Sequence, residues 1–172
     1  MLNKPLAGEY AEYFGGYINK VPEGQVLELL HDQIGQAREQ FGSLSEEQGN
    51  FRYAEGKWSL KEVLGHIADT ERVMSYRLLR IARGDKTPLQ GFNEELFVNH
   101  ANSDDRSVQE LLEEFAIVRT STLSLMQHLT DDAWLRTGTF SDNNGSARAL
   151  AYIMAGHALH HFNIIQERYL NA

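Results

Sequence analysis

The chain has 172 residues, of which 42% are hydrophobic and 23% are charged, and these proportions suit a single globular domain over residues 1–172 that buries its own core. Its formal net charge of −8 argues against a nucleic-acid partner and against an anionic membrane surface, because binding to either needs a basic face. The sequence contains no cysteine, so we expect no disulfide framework and no cysteine nucleophile. It also has no signal-peptide pattern and no apolar run of about 18 residues, so we expect no membrane-spanning helix and a cytoplasmic location.

Four segments are predicted to form amphipathic helices, since their apolar residues recur at spacings of three and four. They cover, in chain order, about residues 23–41, 59–82, 107–129 and 146–169. Ser59 and Ser107 each precede a glutamate by three residues, which is the capping-box pattern of a helix start. Ser146 is the predicted N-cap of the last helix, after the turn-forming residues 143–145.

The similar lengths of the four predicted helices favour an all-α fold built as a four-helix bundle. Residues 84–106, which include Pro88 and Gly91, form a long connector between the second and third helices. A connector of about 20 residues can return along the bundle, so we expect these two helices to run parallel. No segment alternates strictly between polar and apolar residues, so we expect no sheet.

His157 and His161 are separated by one turn of the fourth helix and project only about 40° apart. Leu150, Ile153 and Ile164 lie on the same arc, so both imidazoles are expected to point into the apolar core. A buried imidazole needs a polar partner, and one divalent metal ion would satisfy both rings. The alternative is that hydrogen bonds to backbone groups or to a tyrosine satisfy them.

His66 is the candidate for a third ligand, because it lies on a different helix. It is about 9 Å from the start of the second helix, and His161 is about 10 Å from the same end if the fourth helix is antiparallel. His66 and His161 are therefore expected at about the same height along the bundle. His66 projects towards the flank of its apolar stripe, however, and the alternative is a partly exposed histidine that is hydrogen-bonded locally.

Glu71 and Arg119 each interrupt the apolar face of their helix near its middle. In parallel helices they would share one level, and the pattern favours a buried ion pair that fixes the register. The alternative is a catalytic role, in which Arg119 meets an anionic group of the substrate near the metal and Glu71 orients it. Glu71 and Asp69 are also the carboxylates that could act as a base, although Asp69 projects away from the apolar stripe.

Two groups of aromatic residues lie outside the predicted helices. The N-terminal group is expected to pack as a strap over the bundle or to line a pocket, and it comprises Tyr10, Tyr13, Phe14 and Tyr17. Phe92 and Phe97 in the long connector are expected to form a lid across the open end of the bundle.

Several motifs resemble those of the DinB-like (YfiT-like) family. The segment Lys57-Trp58-Ser59-Leu60-Lys61-Glu62-Val63-Leu64-Gly65-His66, followed by Asp69 and Glu71, resembles the second helix of that family. Gly156-His157, His160-His161 and the closing Gln166-Glu167-Arg168-Tyr169 resemble its fourth helix. The resemblance continues between them through Arg83-Gly84-Asp85, Gly91-Phe92-Asn93, Glu114-Phe115 and Arg119. It covers nearly the whole chain, from about Tyr10 to Tyr169.

The resemblance implies a four-helix bundle of up-down-down-up topology that holds one divalent metal ion, typically nickel or zinc. Matched motif by motif, it implies that His66, His157 and His161 are the metal ligands, with water in the remaining positions. It further implies a homodimer that acts on a small molecule. Characterised members include S-transferases and isomerases that use bacillithiol, mycothiol or glutathione, and others are called metal-dependent hydrolases.

Three functions remain open from the sequence. The first is a thiol-dependent S-transferase, in which metal coordination lowers the pKa of a low-molecular-weight thiol that then attacks an electrophile. The second is a metal-dependent hydrolase, in which the ion activates water. The third belongs to a different class and is a module that binds a metal or ligand without turnover.

Overall fold

The computed structural model describes residues 2–171, most of which lie in helices. In chain order, the α-helices are α1 (Gly15–Ile18), α2 (Val26–Phe41), α3 (Glu46–Asn50), α4 (Leu60–Ala82), α5 (Glu94–His100), α6 (Val108–Met126), α7 (Asp131–Leu135) and α8 (Ala147–Ile164). Short 3-10 helices cover Glu12–Phe14 and Ser103–Asp105, and a π-helix, Ile165–Leu170, continues α8. The two strands are β1 (Thr137–Phe140) and β2 (Asn143–Ser146). No helix within residues 2–171 is both long enough and apolar enough to cross a membrane.

The four long helices, α2, α4, α6 and α8, pack around two apolar clusters, one towards each end of the bundle. The first cluster includes Leu30, Leu78, Met126 and Leu150. The second includes Phe41, Leu64, Leu111 and Phe162. The second cluster joins the ends of α2 and α8 to the starts of α4 and α6, so α4 and α6 run in one direction and α2 and α8 run in the other. This up-down-down-up topology confirms the predicted all-α four-helix bundle and its parallel pair of helices.

Serine caps fix the starts of three long helices, as the sequence predicts. The hydroxyls of Ser59 and Ser107 each accept the backbone N–H three residues later, and both complete a capping box. Ser146 caps α8 through the same kind of bond. Two helix ends differ from the prediction, since α2 begins at Val26 instead of residue 23 and α6 ends at Met126 instead of residue 129.

The prediction that the chain contains no sheet is wrong for residues 137–146. β1 and β2 pair antiparallel there, and the turn between them is made by Ser141 and Asp142, which both have positive φ. Residues 143–145, which were expected to form the turn, belong to β2 instead. Gly145 pairs with Gly138 and lies against the ring of Phe140, where a Cβ would not fit. The glycine at position 145 therefore allows close packing and does not make a turn.

The connector between α4 and α6 is anchored to the bundle in two places. The Leu89 N–H donates to the carbonyl of Thr139 (2.9 Å) and the Ser141 N–H donates to the carbonyl of Leu89 (3.0 Å), which joins the connector to the hairpin. Further along the connector, α5 packs against α4 and its Val98 is buried. The connector thus places α5 beside the helix that carries His66.

Candidate metal centre

The two histidines of α8 point into the interior of the bundle. His157 and His161 are buried, and their Nε2 atoms lie 3.1 Å apart. Leu150 and Ile153, which share their arc, are also buried. The prediction that both imidazoles face the apolar core is confirmed.

His66 on α4 completes a group of three imidazoles. Its side chain is buried, and its Nε2 lies 3.0 Å from the Nε2 of His157. One ligand atom from each of His66, His157 and His161 lies within 4.8 Å of the other two. The three rings, whose levels along the helices allow them to meet, are close together in the structure. The alternative of a partly exposed His66 is wrong, because α8 covers that flank of α4.

All three imidazoles are held in the neutral state by their surroundings. Burial lowers the pKa of His66 from 6.5 to about 4, and the nearby His160 acts in the same direction. Burial also lowers the pKa of His157 and of His161 well below the usual value, with a further contribution from the neighbouring histidines. Neutral imidazole is the form that binds a metal ion, so the site is in its ligating state near pH 7.

The arrangement of the ring nitrogens fits a metal ion. Two ligands about 2.0–2.1 Å from one tetrahedral ion lie about 3.3 Å apart, close to the 3.0 and 3.1 Å between the Nε2 atoms. The Nδ1 of His66 lies 3.5 Å from the Oγ1 of Thr70, a partner that leaves the Nε2 lone pair free. In the described part of the chain, neither a tyrosine hydroxyl nor a backbone carbonyl bonds these rings, so the alternative partners are not used.

Aromatic rings enclose the three histidines from two sides. The ring of Trp58 lies 4.8 Å from that of His66, and the ring of Tyr17 meets His157 edge-on at 5.4 Å. Tyr17 belongs to the predicted N-terminal strap, and here it lines the site. Gly156 makes this possible, because a Cβ at that position would overlap the backbone carbonyl of Tyr17.

A cavity of about 220 Å³ opens beside His161. Its walls combine aromatic and charged side chains and include Tyr53, Trp58, Glu95, His161 and Tyr169. The Tyr169 hydroxyl donates to the carbonyl of Trp58 (2.8 Å), which links the π-helix after α8 to the segment before α4. The cavity gives a small group access to His161, which is the one histidine of the three that lines it.

Glu71 and Arg119 form a buried ion pair between α4 and α6. The Nε of Arg119 donates to both carboxylate oxygens of Glu71, at 2.7 and 2.9 Å, and its Nη1 donates to the Leu30 carbonyl and to Gln33. A cavity of about 10 Å³, the size of about one water molecule, lies between Glu71 and His157. The contacts support the predicted register-fixing pair and leave Arg119 enclosed at 0% exposure.

The other candidate residues lie outside the group of three. Asp69 bonds to Arg72 (3.2 Å), and burial raises the pKa of its carboxyl. His160 is half-buried and packs edge-on against Tyr17 and His161 without joining the three ligand atoms. Neither residue is therefore placed to share one ion with the three histidines.

Glu95 lies at the site although the sequence did not single it out. It sits in the first turn of α5, and its Oε2 accepts a hydrogen bond from the Nε1 of Trp58 (3.4 Å). α5 has only seven residues, too few for a periodic pattern to reveal it. The signal that could have found Glu95 is the N-cap Asn93, whose side chain accepts the Leu96 N–H at 3.0 Å.

The comparisons with known proteins agree with this fold. The family model described as the DinB superfamily matches residues 29–165. A protein of Oceanobacillus iheyensis, whose name assigns it provisionally to the metal-dependent hydrolases, is 32% identical over 76 residues, which are 40% of this chain and 43% of that protein. The chain therefore matches less than half the length of this relative.

Two solved structures share the fold. YfiT from Bacillus subtilis, described as a probable metal-dependent hydrolase with an unusual four-helix bundle topology, has a TM-score of 0.77 and 17% identity, over 98% of this chain and 92% of its own. The mycothiol-dependent maleylpyruvate isomerase has a TM-score of 0.67 and 13% identity, over 84% of this chain and 61% of its own. The resemblance found in the sequence is confirmed, and because the family model covers most of its residues, the chain belongs to the DinB superfamily.

Proposed function

We propose that this protein is a metal-dependent enzyme in which His66, His157 and His161 hold one divalent ion, zinc or nickel. The observation that carries the proposal is the convergence of three buried, neutral imidazoles from two helices, with Nε2 separations of 3.0 and 3.1 Å. When bound, such an ion lowers the pKa of a coordinated thiol or water and polarises an oxygen of the substrate. The names of the relatives point in the same direction.

The residues around the three ligands each have a part in this proposal. Thr70 orients His66 through its Nδ1, while Trp58 and Tyr17 pack against the ligand rings and exclude bulk water from two sides. The cavity beside His161 admits the small molecule. The protein thus supplies a rigid, enclosed set of neutral nitrogen ligands with one open approach.

The reaction that this site favours is transfer to or from a low-molecular-weight thiol. The chain contains no cysteine, so the sulfur of such a reaction has to come from a separate molecule. Glu71 is bound to Arg119 and Asp69 lies outside the group of three histidines, so neither carboxylate that the sequence offered is placed to act as a base for water. A thiol needs less help than water because its ordinary pKa is already near 8.5. One of the structural neighbours is named for its dependence on mycothiol.

Hydrolysis is the second candidate, and one observation favours it. Glu95 places a carboxylate in the same cavity as His161, where it could act as a base that takes a proton from a water molecule. The relative from Oceanobacillus iheyensis and YfiT also carry names that refer to metal-dependent hydrolysis.

Metal analysis and two simple assays test the proposal. Protein purified without a nickel column is expected to contain one zinc or nickel ion per chain, His161→Ala is expected to lose it, and the matched control His160→Ala is expected to keep it. Consumption of chlorodinitrobenzene that needs both metal and glutathione or cysteine would support transfer, and cleavage of para-nitrophenyl acetate without thiol would support hydrolysis. Full metal content with neither activity would support a binding module and contradict the proposed enzyme.

A further inference from the structure

We infer that Glu95 is the proton acceptor of this site, an inference that rests on the proposed function and deepens it. The nucleophile arrives as a thiol or a water, and its S–H or O–H bond breaks as it attacks. The electron pair stays on the nucleophile, and the proton forms a new O–H bond on the Glu95 carboxylate. Glu95 then returns this proton to the leaving group, so the carboxylate ends the reaction unchanged.

Two observations place Glu95 near the three histidines. Its side chain lines the cavity of about 220 Å³ together with His161. Its Oε2 accepts the Nε1–H of Trp58 at 3.4 Å, and the ring of Trp58 lies 4.8 Å from that of His66. The carboxylate therefore lines the same cavity as His161 and lies one side chain away from His66.

Among the residues that the structure describes, Glu95 has no cationic partner, unlike Glu71 and Asp69. Glu71 is buried in its ion pair with Arg119, and Asp69 bonds to Arg72 on the surface of α4. Within residues 2–171, no lysine or arginine forms an ion pair with Glu95, although Lys57 lines the same cavity. An unpaired carboxylate retains its lone pairs for a proton.

The helix that carries Glu95 fixes its position. Asn93 caps α5, and Val98 on the next turn is buried, so the first turn of α5 is held at both ends. A carboxylate in a first helical turn is favourable in itself, because it faces the positive end of the helix dipole. That explanation applies equally to Glu94, whereas the bond to Trp58 and the shared cavity belong to Glu95.

Replacing the bound metal with Co²⁺ gives a test that needs no substrate. The visible spectrum of Co²⁺ changes when a group at the site gains or loses a proton, so its pH titration reports coupled protonation steps. Wild-type protein is expected to show two steps. Glu95→Gln is expected to show a single step whose midpoint lies about 1 pH unit or more below the later step of the wild type, because a nearby negative charge is gone.

Two further variants make the result specific. Glu94→Gln removes the same charge from the same helical turn, and we expect it to keep both steps with a shift less than half as large. Glu95→Asp keeps the carboxylate and is expected to keep both steps. A Glu95→Gln protein that binds Co²⁺ fully and titrates like the wild type would overturn the role of Glu95 alone, as would an equal or larger shift in Glu94→Gln. Failure of the wild-type protein to bind Co²⁺ would overturn the metal site as well.

Discussion

The Nε2 of His66 lies 3.0 Å from the Nε2 of His157, although 91 positions separate the two residues in the chain. The contact joins α4 to the antiparallel α8 at a buried level, and His161 lies one turn further along α8. Buried polar groups are normally satisfied by a partner, and three neutral nitrogens facing one another are best satisfied by a shared cation. Two of the four bundle helices are thus arranged around one small polar centre.

Metal-free protein is expected to lose stability as the pH falls from about 6.5 towards 4. Burial lowers the folded-state pKa of His66 from 6.5 to about 4 and lowers those of His157 and His161 in the same direction. The unfolded chain binds more protons than the folded chain in this range, so the free energy of unfolding decreases as the pH is lowered. Urea denaturation at a series of pH values measures this slope. His66→Asn should flatten it, and an unchanged slope in that variant would contradict the assignment.

Removing the metal is expected to lower the melting temperature of the wild-type protein by about 5–10 °C. A ligand present at 100 times its Kd stabilises the folded state by about 2.7 kcal/mol, and a chain of this length shifts by about 2–4 °C per kcal/mol. Thermal melts with and without a chelator measure the difference. His160→Ala should respond like the wild type and His157→Ala should not respond, so an equal response in all three proteins would count against the site.

Arg119→Met is expected to destabilise the protein by about 3–5 kcal/mol, because it leaves the Glu71 carboxylate buried without its partner. The double variant Glu71→Leu and Arg119→Met should recover most of this loss, since it removes both charges. Urea denaturation and metal content together check the expectation. A double variant that is stable and loaded with metal but inactive would instead support the alternative role of Arg119, in which it binds an anionic group of the substrate.

Gly156→Ala is expected to destabilise the protein by about 1–3 kcal/mol, because the new Cβ collides with the backbone of Tyr17 and pushes the N-terminal strap from the site. Gly35→Ala is the matched control, since Gly35 lies in α2 with nothing within 4 Å of an added Cβ. That change should stabilise the protein by up to about 1 kcal/mol. Two substitutions with the same effect on urea denaturation would show that Tyr17 is not held by this close approach.

The long helices and their order are predictable from the sequence because their signals are local. Ser59 and Ser107 carry complete capping boxes, and the length of the connector after α4 is enough to argue for a parallel α4 and α6. The hairpin is not predictable in this way. Glycine is a residue type that is typical of turns, but the role of Gly145 depends on its contact with the ring of Phe140, which no local pattern reveals.

Helix geometry predicts the direction of His157 and His161, whereas for His66 it predicts only the level along the bundle, and the family resemblance implies its role as a ligand. His157 and His161 follow from one helical turn, and the level of His66 follows from its distance to the start of α4. Glu95 does not follow, because its place depends on how a seven-residue helix docks on Trp58. The three histidines of the site thus lie on long helices that local sequence patterns predict. The position of Glu95, which lines the neighbouring cavity, depends on tertiary packing.

X-ray absorption spectroscopy of zinc-loaded protein tests the central claim most directly, because it counts the ligands of the ion. We expect three imidazole nitrogens at about 2.0–2.1 Å in the wild-type protein and in His160→Ala, and two in His66→Ala if that variant retains zinc. A zinc environment with fewer than three imidazoles in the wild-type protein, or one that is identical in His66→Ala, would contradict the shared site of α4 and α8.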